Sequence, residues 1–238
     1  WLDGEPVLVS CPINRYSLAR LRLSAERGVR VRPADCAKTA RAAVETMQYL
    51  GKKSGCEIEL SNSLPRSRGY ASSTADVAAA VAALGRTLGV ALAARQIAEI
   101  ACRVEPSDSV MFSAWTLLAY HSAAWAQELG KGLSLPLLIL DCGEEVDTLR
   151  YNRSLDFGQV KKLETTTREA LDLLTAGIQR GSLQLLGTAA RLSALAYQRV
   201  RHSTFVEQAV KWADELNAAG PLRAHSGSIA GLLFESEM

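Results

Sequence analysis

An apolar run at residues 5–11 and strict alternation over Arg20, Leu21, Arg22 and Leu23 predict two strands, the second with one face toward water. Gly28 then breaks the pattern, and Pro33 stands at the start of a helix in which Ala37, Ala40, Val44, Met47 and Leu50 recur at helical spacing up to Gly51. Residues 56–61 alternate again as a half-buried strand, and residues 77–84, almost all alanine and valine, read as a helix that stops near Gly89. A further helix over residues 91–104 turns Ile97, Ile100, Ala101 and Val104 inward until Pro106 forces its end. Residues 110–120 suit a strand with a hairpin partner at 123–129. The turn Gly130-Lys131-Gly132 divides the chain into domains of 1–131 and 132–238.

Beyond that turn the pattern predicts a buried strand at 135–141, an extended crossing at 148–152, and then mostly helix. Val160, Leu163, Ala170, Leu171, Leu174 and Ile178 line one face up to Gly181; Ser182 opens a second helix reaching about Arg199. Thr204 and Glu207 stand at capping-box spacing for a third, which Gly220-Pro221 closes. A glycine- and serine-rich loop from Arg223 leads into a last apolar strand ending at Phe234.

Composition narrows the function classes. The 238 residues suffice for one large domain or two smaller ones sharing an interface, and 48% hydrophobic with 22% charged residues is the balance of a soluble globular protein. A net charge of +2 is too small to argue for nucleic acid or an anionic membrane as partner, and the longest apolar run, residues 135–140, has a strand's length. The five cysteines, Cys11, Cys36, Cys56, Cys102 and Cys142, are scattered without metal-ligand spacing, which predicts buried, reduced thiols in a cytoplasmic protein.

Three polar constellations remain once the core is assigned. In the first, Pro65-Arg66-Ser67-Arg68-Gly69-Tyr70-Ala71-Ser72-Ser73-Thr74 joins a strand to a helix. A helix start exposes free N–H groups and attracts anions, and small residues let phosphates approach. Ser72 and Ser73 suit such a cradle, with a hydroxyl available to Mg²⁺, or else simply cap the helix. The second is Glu105 with Asp108, which either divide metal and proton work or cap a turn; the third is His225-Ser226-Gly227-Ser228, whose histidine is either structural or a substrate contact. Neither the Walker nor the Rossmann glycine pattern occurs.

Pro65-x-x-Arg68-Gly69-x-Ala71-Ser72-Ser73-Thr74-Ala75-Asp76 resembles the phosphate-binding motif of the GHMP kinases, and its Ala-Ser-Ser-Thr-Ala-Asp form is most similar to their L-threonine kinase branch, which serves cobalamin assembly. Val9-Ser10-Cys11-Pro12 with Tyr16-Ser17, Glu105-Pro106-Ser107-Asp108-Ser109 and Ala224-His225-Ser226-Gly227-Ser228 match that branch in the expected order. The resemblance implies an α+β fold of two lobes, the N-terminal one like ribosomal S5 domain 2 and the C-terminal one ferredoxin-like. It also implies ATP and Mg²⁺ as cofactors and a kinase acting on the hydroxyl of an amino acid, most plausibly L-threonine, in a cytoplasmic monomer or homodimer. Residues 65–74 would hold ATP, Ser73 and Glu105 the metal, and Asp108 would serve as general base. Asn14, Tyr16, Ser17, His225, Ser226, Gly227 and Ser228 would meet the substrate. The branch usually has Lys-Gly where this chain has Arg68-Gly69, which keeps the charge but exchanges a point donor for a planar fork. The family's first motif is expected upstream of Trp1, and relatives continue past Phe234. A homoserine-like substrate and a catalytically silent binding protein of the same fold are the alternatives.

Overall fold

The computed structural model describes residues 1–235, and nine strands and eight helices lie among them. In chain order these are β1 (Val7–Val9), β2 (Ser17–Ser24), β3 (Val29–Arg32), α1 (Ala37–Tyr49), β4 (Gly55–Asn62), α2 (Ser72–Thr87), α3 (Ala94–Val104), β5 (Trp115–Ala119), β6 (Ala126–Gly130), β7 (Leu137–Asp141), α4 (Thr148–Arg153), α5 (Phe157–Lys161), α6 (Glu164–Arg180), α7 (Leu183–Tyr197), α8 (Thr204–Glu215), β8 (Gly220–Arg223) and β9 (Ile229–Leu233). The chain forms two compact units. One comprises residues 8–66 and 71–127; the other comprises residues 1–7, 67–70 and 128–238.

In the first unit β2, β4 and β3 form a sheet in that order, β2 antiparallel and β3 parallel to β4. Alternation along the strands sends Ala19, Leu21, Val29, Val31, Cys56, Ile58 and Leu60 toward α1 and α2, where they meet Ala43, Met47, Ala80 and Leu84. Arg20, Arg22, Arg30 and Arg32 stay in water on the other face. A second cluster joins Ala42 of α1 and Val77 and Val81 of α2 to Ile97, Ile100, Ala101 and Val104 of α3. Those four α3 residues are the ones its periodicity predicted. A second small sheet, in the order β1-β5-β6, has Leu118 packed with Ala98, Tyr120 and Ala123.

The other unit carries the antiparallel sheet β7-β9-β8. Helices α6 and α7 form a hairpin whose turn is Gly181 in the left-handed region, with φ +63°. Gly187 lets α7 lie directly on β8, because a Cβ there would meet the carbonyl oxygen of Ala219 at 1.9 Å.

Several sequence expectations need correction. Residues 29–32 form a strand between Gly28 and the helix, and residues 148–152 are helical in α4 rather than extended. The strand expected at 110–120 is confined to Trp115–Ala119. Strand β7 is an edge strand with Leu138 45% exposed, not a buried one. The buried face of α1 is Thr39, Ala42, Ala43, Thr46 and Met47, while Val44 faces water, because this helix packs on the sheet and on α2 and α3 together. The stripe from Val160 to Ile178 belongs to two helices, α5 and α6. Ser203, not Thr204, caps α8 by accepting the Val206 N–H at 3.4 Å, and Gly220-Pro221 lies in β8. All five cysteines are free, but only Cys36 and Cys56 are buried and Cys142 is exposed. Among the described residues no helix is long and apolar enough to cross a membrane.

Candidate functional site

Strand β4 ends at Asn62, whose Oδ1 accepts the Leu64 N–H at 2.8 Å and turns the chain out of the sheet. Ser67, Gly69 and Ala71 then take left-handed backbone, with φ +60°, +100° and +54°. Only the glycine adopts this without strain. Ala71 is the N-cap of α2 and offers no side-chain cap, so Ser72 and Ser73 do not cap the helix but occupy its first turn. The first N–H groups of α2 therefore lack a side-chain cap, at the positive end of the helix dipole.

The Ser73 hydroxyl donates to Glu105 Oε1 at 2.5 Å. Glu105 ends α3 in extended backbone and is 6% exposed; its other oxygen, Oε2, lies 2.6 Å from the Lys38 ammonium on the first turn of α1. Three residues on, Asp108 Oδ2 accepts from the Thr74 hydroxyl at 3.4 Å, while its backbone N–H donates to the same hydroxyl at 3.3 Å. Burial pushes the Asp108 carboxyl up to about 6, reinforced by the Glu105 charge and opposed by the Thr74 hydroxyl. The turn holding both carboxylates is fixed by Ser10 and Ser109, each backbone N–H donating to the other's hydroxyl at 3.0 Å. Two stretches singled out separately in the sequence are thus stitched together.

Arg66 binds Asp35 at 2.7 Å and approaches Asp76 at 4.0 Å. Asp76 is buried on α2, where its Oδ1 accepts from the Ser17 hydroxyl at 2.5 Å and the Asn62 amide at 2.7 Å. Asn14 and Tyr16 line an open depression of about 480 Å³ with Arg15, Leu18 and Ser63; Ser17 is turned away from it onto Asp76. Pro65 is exposed at the head of the loop. The Asn62 amide also reaches the Ser72 carbonyl at 3.4 Å.

In the other unit Arg68 and Gly69 pack on the loop 225–228. The Ser228 N–H donates to the Arg68 carbonyl at 3.0 Å, and Gly227 sits so close to Gly69 that a Cβ on Gly227 would stand 2.3 Å from the Gly69 Cα. Asp141 receives both the Arg68 guanidinium at 3.3 Å and the Tyr70 hydroxyl at 3.4 Å. The Ser228 hydroxyl donates to the Glu144 carbonyl at 2.5 Å. His225 packs against Tyr151 and Tyr197, with ring centroids at 5.9 and 5.7 Å, and Ser226 is half-buried beside it.

Sequence reasoning passed over Lys38, Asp35, Asp76 and Asp141. Lys38 carried a signal: a cation in the first turn of a helix opposes the dipole, which calls for a nearby anion as the reason for its placement. Asp76 closes the motif, but an aspartate in an alanine-rich helix announces nothing about partners on other elements.

An uncapped helix start lined by small hydroxyl residues, with a buried glutamate on its serine and a second carboxylate beside its threonine, is an arrangement that can attract an anion at the helix start and offer carboxylate oxygens to a cation or a proton. Residues 36–115 match the GHMP kinases N terminal domain. The chain is 28% identical over 235 residues to an L-threonine kinase of Salmonella typhimurium, covering 99% of this chain and 78% of that protein. An L-threonine kinase of Citrobacter freundii is 29% identical over 236 residues, covering 99% and 81%. Among solved structures, a homoserine kinase from Cytophaga hutchinsonii superimposes with a TM-score of 0.70 at 21% identity over 96% of this chain and 78% of the other. The L. major mevalonate kinase in complex with R-mevalonate gives 0.74 at 17% identity over 98% and 82%. The expected GHMP kinase fold is the observed one.

Proposed function

We propose that this chain is an ATP-dependent kinase that phosphorylates the hydroxyl of a small amino acid, L-threonine, to O-phospho-L-threonine, a product its motifs assign to cobalamin side-chain assembly. The observation that carries the reading is the Ser73–Glu105 pair at the open start of α2. The backbone N–H groups of residues 69–74 cradle the phosphates, with Arg66 and Arg68 adding charge from the same loop.

One hydroxyl and one carboxylate suit Mg²⁺, a hard cation that takes few protein ligands and shares the rest with phosphates and water. No cluster of three His, Cys, Asp or Glu among the described residues forms a metal cage of its own, which fits that shared mode. Ser73 and Glu105 would hold the ion, which when bound neutralises charge on the phosphates. Asp108, with its carboxyl near 6, is ionised at neutral pH yet basic enough to accept the substrate's hydroxyl proton. Asn14 and Tyr16 in the depression provide polar groups of the kind a zwitterion needs.

The test is an ATP-consumption assay with L-threonine, L-serine, L-homoserine and D-threonine side by side, for wild type and Ser73→Ala. L-threonine is expected to be the best substrate, with serine poorer by one methyl, about 1–3 kcal/mol of discrimination. Ser73→Ala should weaken Mg·ATP binding. A clear preference for homoserine, or for an alcohol without the amino-acid group, refutes the substrate. Mg·ATP binding without turnover of any acceptor makes the chain a binding protein.

A further inference from the structure

We propose that Lys38 is a positioning residue whose ammonium holds one oxygen of Glu105 and competes there with a divalent ion. The inference rests on the reading of Ser73 and Glu105 as the metal-holding pair. Glu105 is among the few buried charged residues of its unit, with a side chain 4% exposed. A carboxylate so placed is costly unless it is paired and hydrogen-bonded. Its two oxygens are divided: Oε1 accepts from Ser73 at 2.5 Å, and Oε2 lies 2.6 Å from the Lys38 nitrogen.

Lys38 sits where local energetics disfavour it. It lies in the first turn of α1, at the positive end of the helix dipole, without an acidic neighbour in that turn. Its side chain is 34% exposed, so the ammonium reaches inward from a partly hydrated position. The pair therefore joins a partly exposed cation to a buried carboxylate whose other oxygen is already held by Ser73. That is the geometry of a replaceable counter-ion: the carboxylate keeps its orientation through Ser73, and the partly exposed cation has water beside it.

Two consequences follow from charge alone. A divalent ion at Glu105 is repelled by the ammonium, so Lys38 must be displaced for the ion to bind. Removing the ammonium removes that competition. In the absence of nucleotide, the Lys38→Met chain should thus bind Mn²⁺ at least tenfold more tightly than wild type, read by the loss of the free-ion electron paramagnetic resonance signal at pH 8. Lys38→Arg, which keeps the charge, should stay within about twofold of wild type. The gain in Lys38→Met should vanish in Lys38→Met/Glu105→Gln. A packing role for the lysine stem would instead lower the melting temperature and leave metal affinity untouched.

Unchanged or weaker Mn²⁺ binding by Lys38→Met, or no detectable binding by it, overturns the proposal. So does a gain that survives Glu105→Gln, since the ion then sits elsewhere. Lys38→Gln gives a second neutral variant should the methionine chain fail to fold. The kinase reading fails separately, in the acceptor assay, whose outcome does not depend on these affinities.

Discussion

Replacing Gly227 by alanine tests the tightest backbone contact made by the loop before α2. A Cβ there would lie 2.3 Å from the Gly69 Cα, 2.4 Å from the Arg68 carbonyl oxygen and 2.6 Å from the Gly69 nitrogen. All three are backbone atoms, so no side chain can swing aside. Carbon atoms rest at about 3.5–4.0 Å, so the two segments must part by about 1 Å or more. Overpacking of this kind costs about 1–3 kcal/mol. At about 2–4 °C per kcal/mol for a chain of this size, the melting temperature should fall by about 2–12 °C. The Ser228 N–H to Arg68 carbonyl bond, 3.0 Å in the native chain, stretches with the same movement. A 1 Å displacement of a positioned group is worth about 100-fold in rate, so kcat/KM for ATP should drop by about that factor. Thermal unfolding and steady-state ATP kinetics with L-threonine measure the two effects, with Arg86→Ala, on the exposed side of α2, as the variant that changes neither. If Gly227→Ala kept its melting temperature within about 1 °C and its kcat/KM within about twofold, the argument from backbone contact would be wrong.

Two further outcomes are expected. Asp108 has a folded pKa raised to about 6, above its unfolded value, so its ionisation burdens the fold fully above pH 6, less as pH falls through 6, and not at all near pH 4. Asp108→Asn in metal-free buffer should therefore gain melting temperature relative to wild type at pH 8 and lose that advantage toward pH 4, while turnover falls; an equal difference at both pH values would refute the assignment. Asp76→Ala removes two hydrogen bonds to a buried carboxylate, from Ser17 and Asn62, worth about 1.5–3 kcal/mol each. The melting temperature should fall by about 6–24 °C, counting about 3–6 kcal/mol in all, and a denaturation curve coincident with wild type would show that these two bonds contribute nothing.

What the sequence determined by itself is what neighbouring residues settle among themselves. The inner face of α3, the turn at Gly181 and the Ser182 cap all follow from spacing and local hydrogen bonding. The loop before α2 was legible for the same reason, because glycine, small hydroxyl residues and a strong helix former stand in one continuous stretch. Ser73, Glu105 and Asp108 were legible as residue types in recognisable motifs, and the family resemblance implied that Ser73 and Glu105 meet at one ion; the direct hydrogen bond between them and the Thr74 contact of Asp108 were not legible. The strands β3 and β8 escaped because each is only four residues long: Val29-Arg30-Val31-Arg32 alternates but is too short a run to stand out, and β8 takes its form from pairing with β9. The face of α1 was misjudged because two packing surfaces claim it, and a single helical stripe cannot represent both. Lys38 on Glu105, Asp76 between Ser17 and Asn62, and Gly227 against Gly69 are contacts between distant parts of the chain. Only tertiary structure decides them, because burial creates both the cost of a lone charge and the close approach that excludes a Cβ, and burial is a property of the assembled unit rather than of any segment.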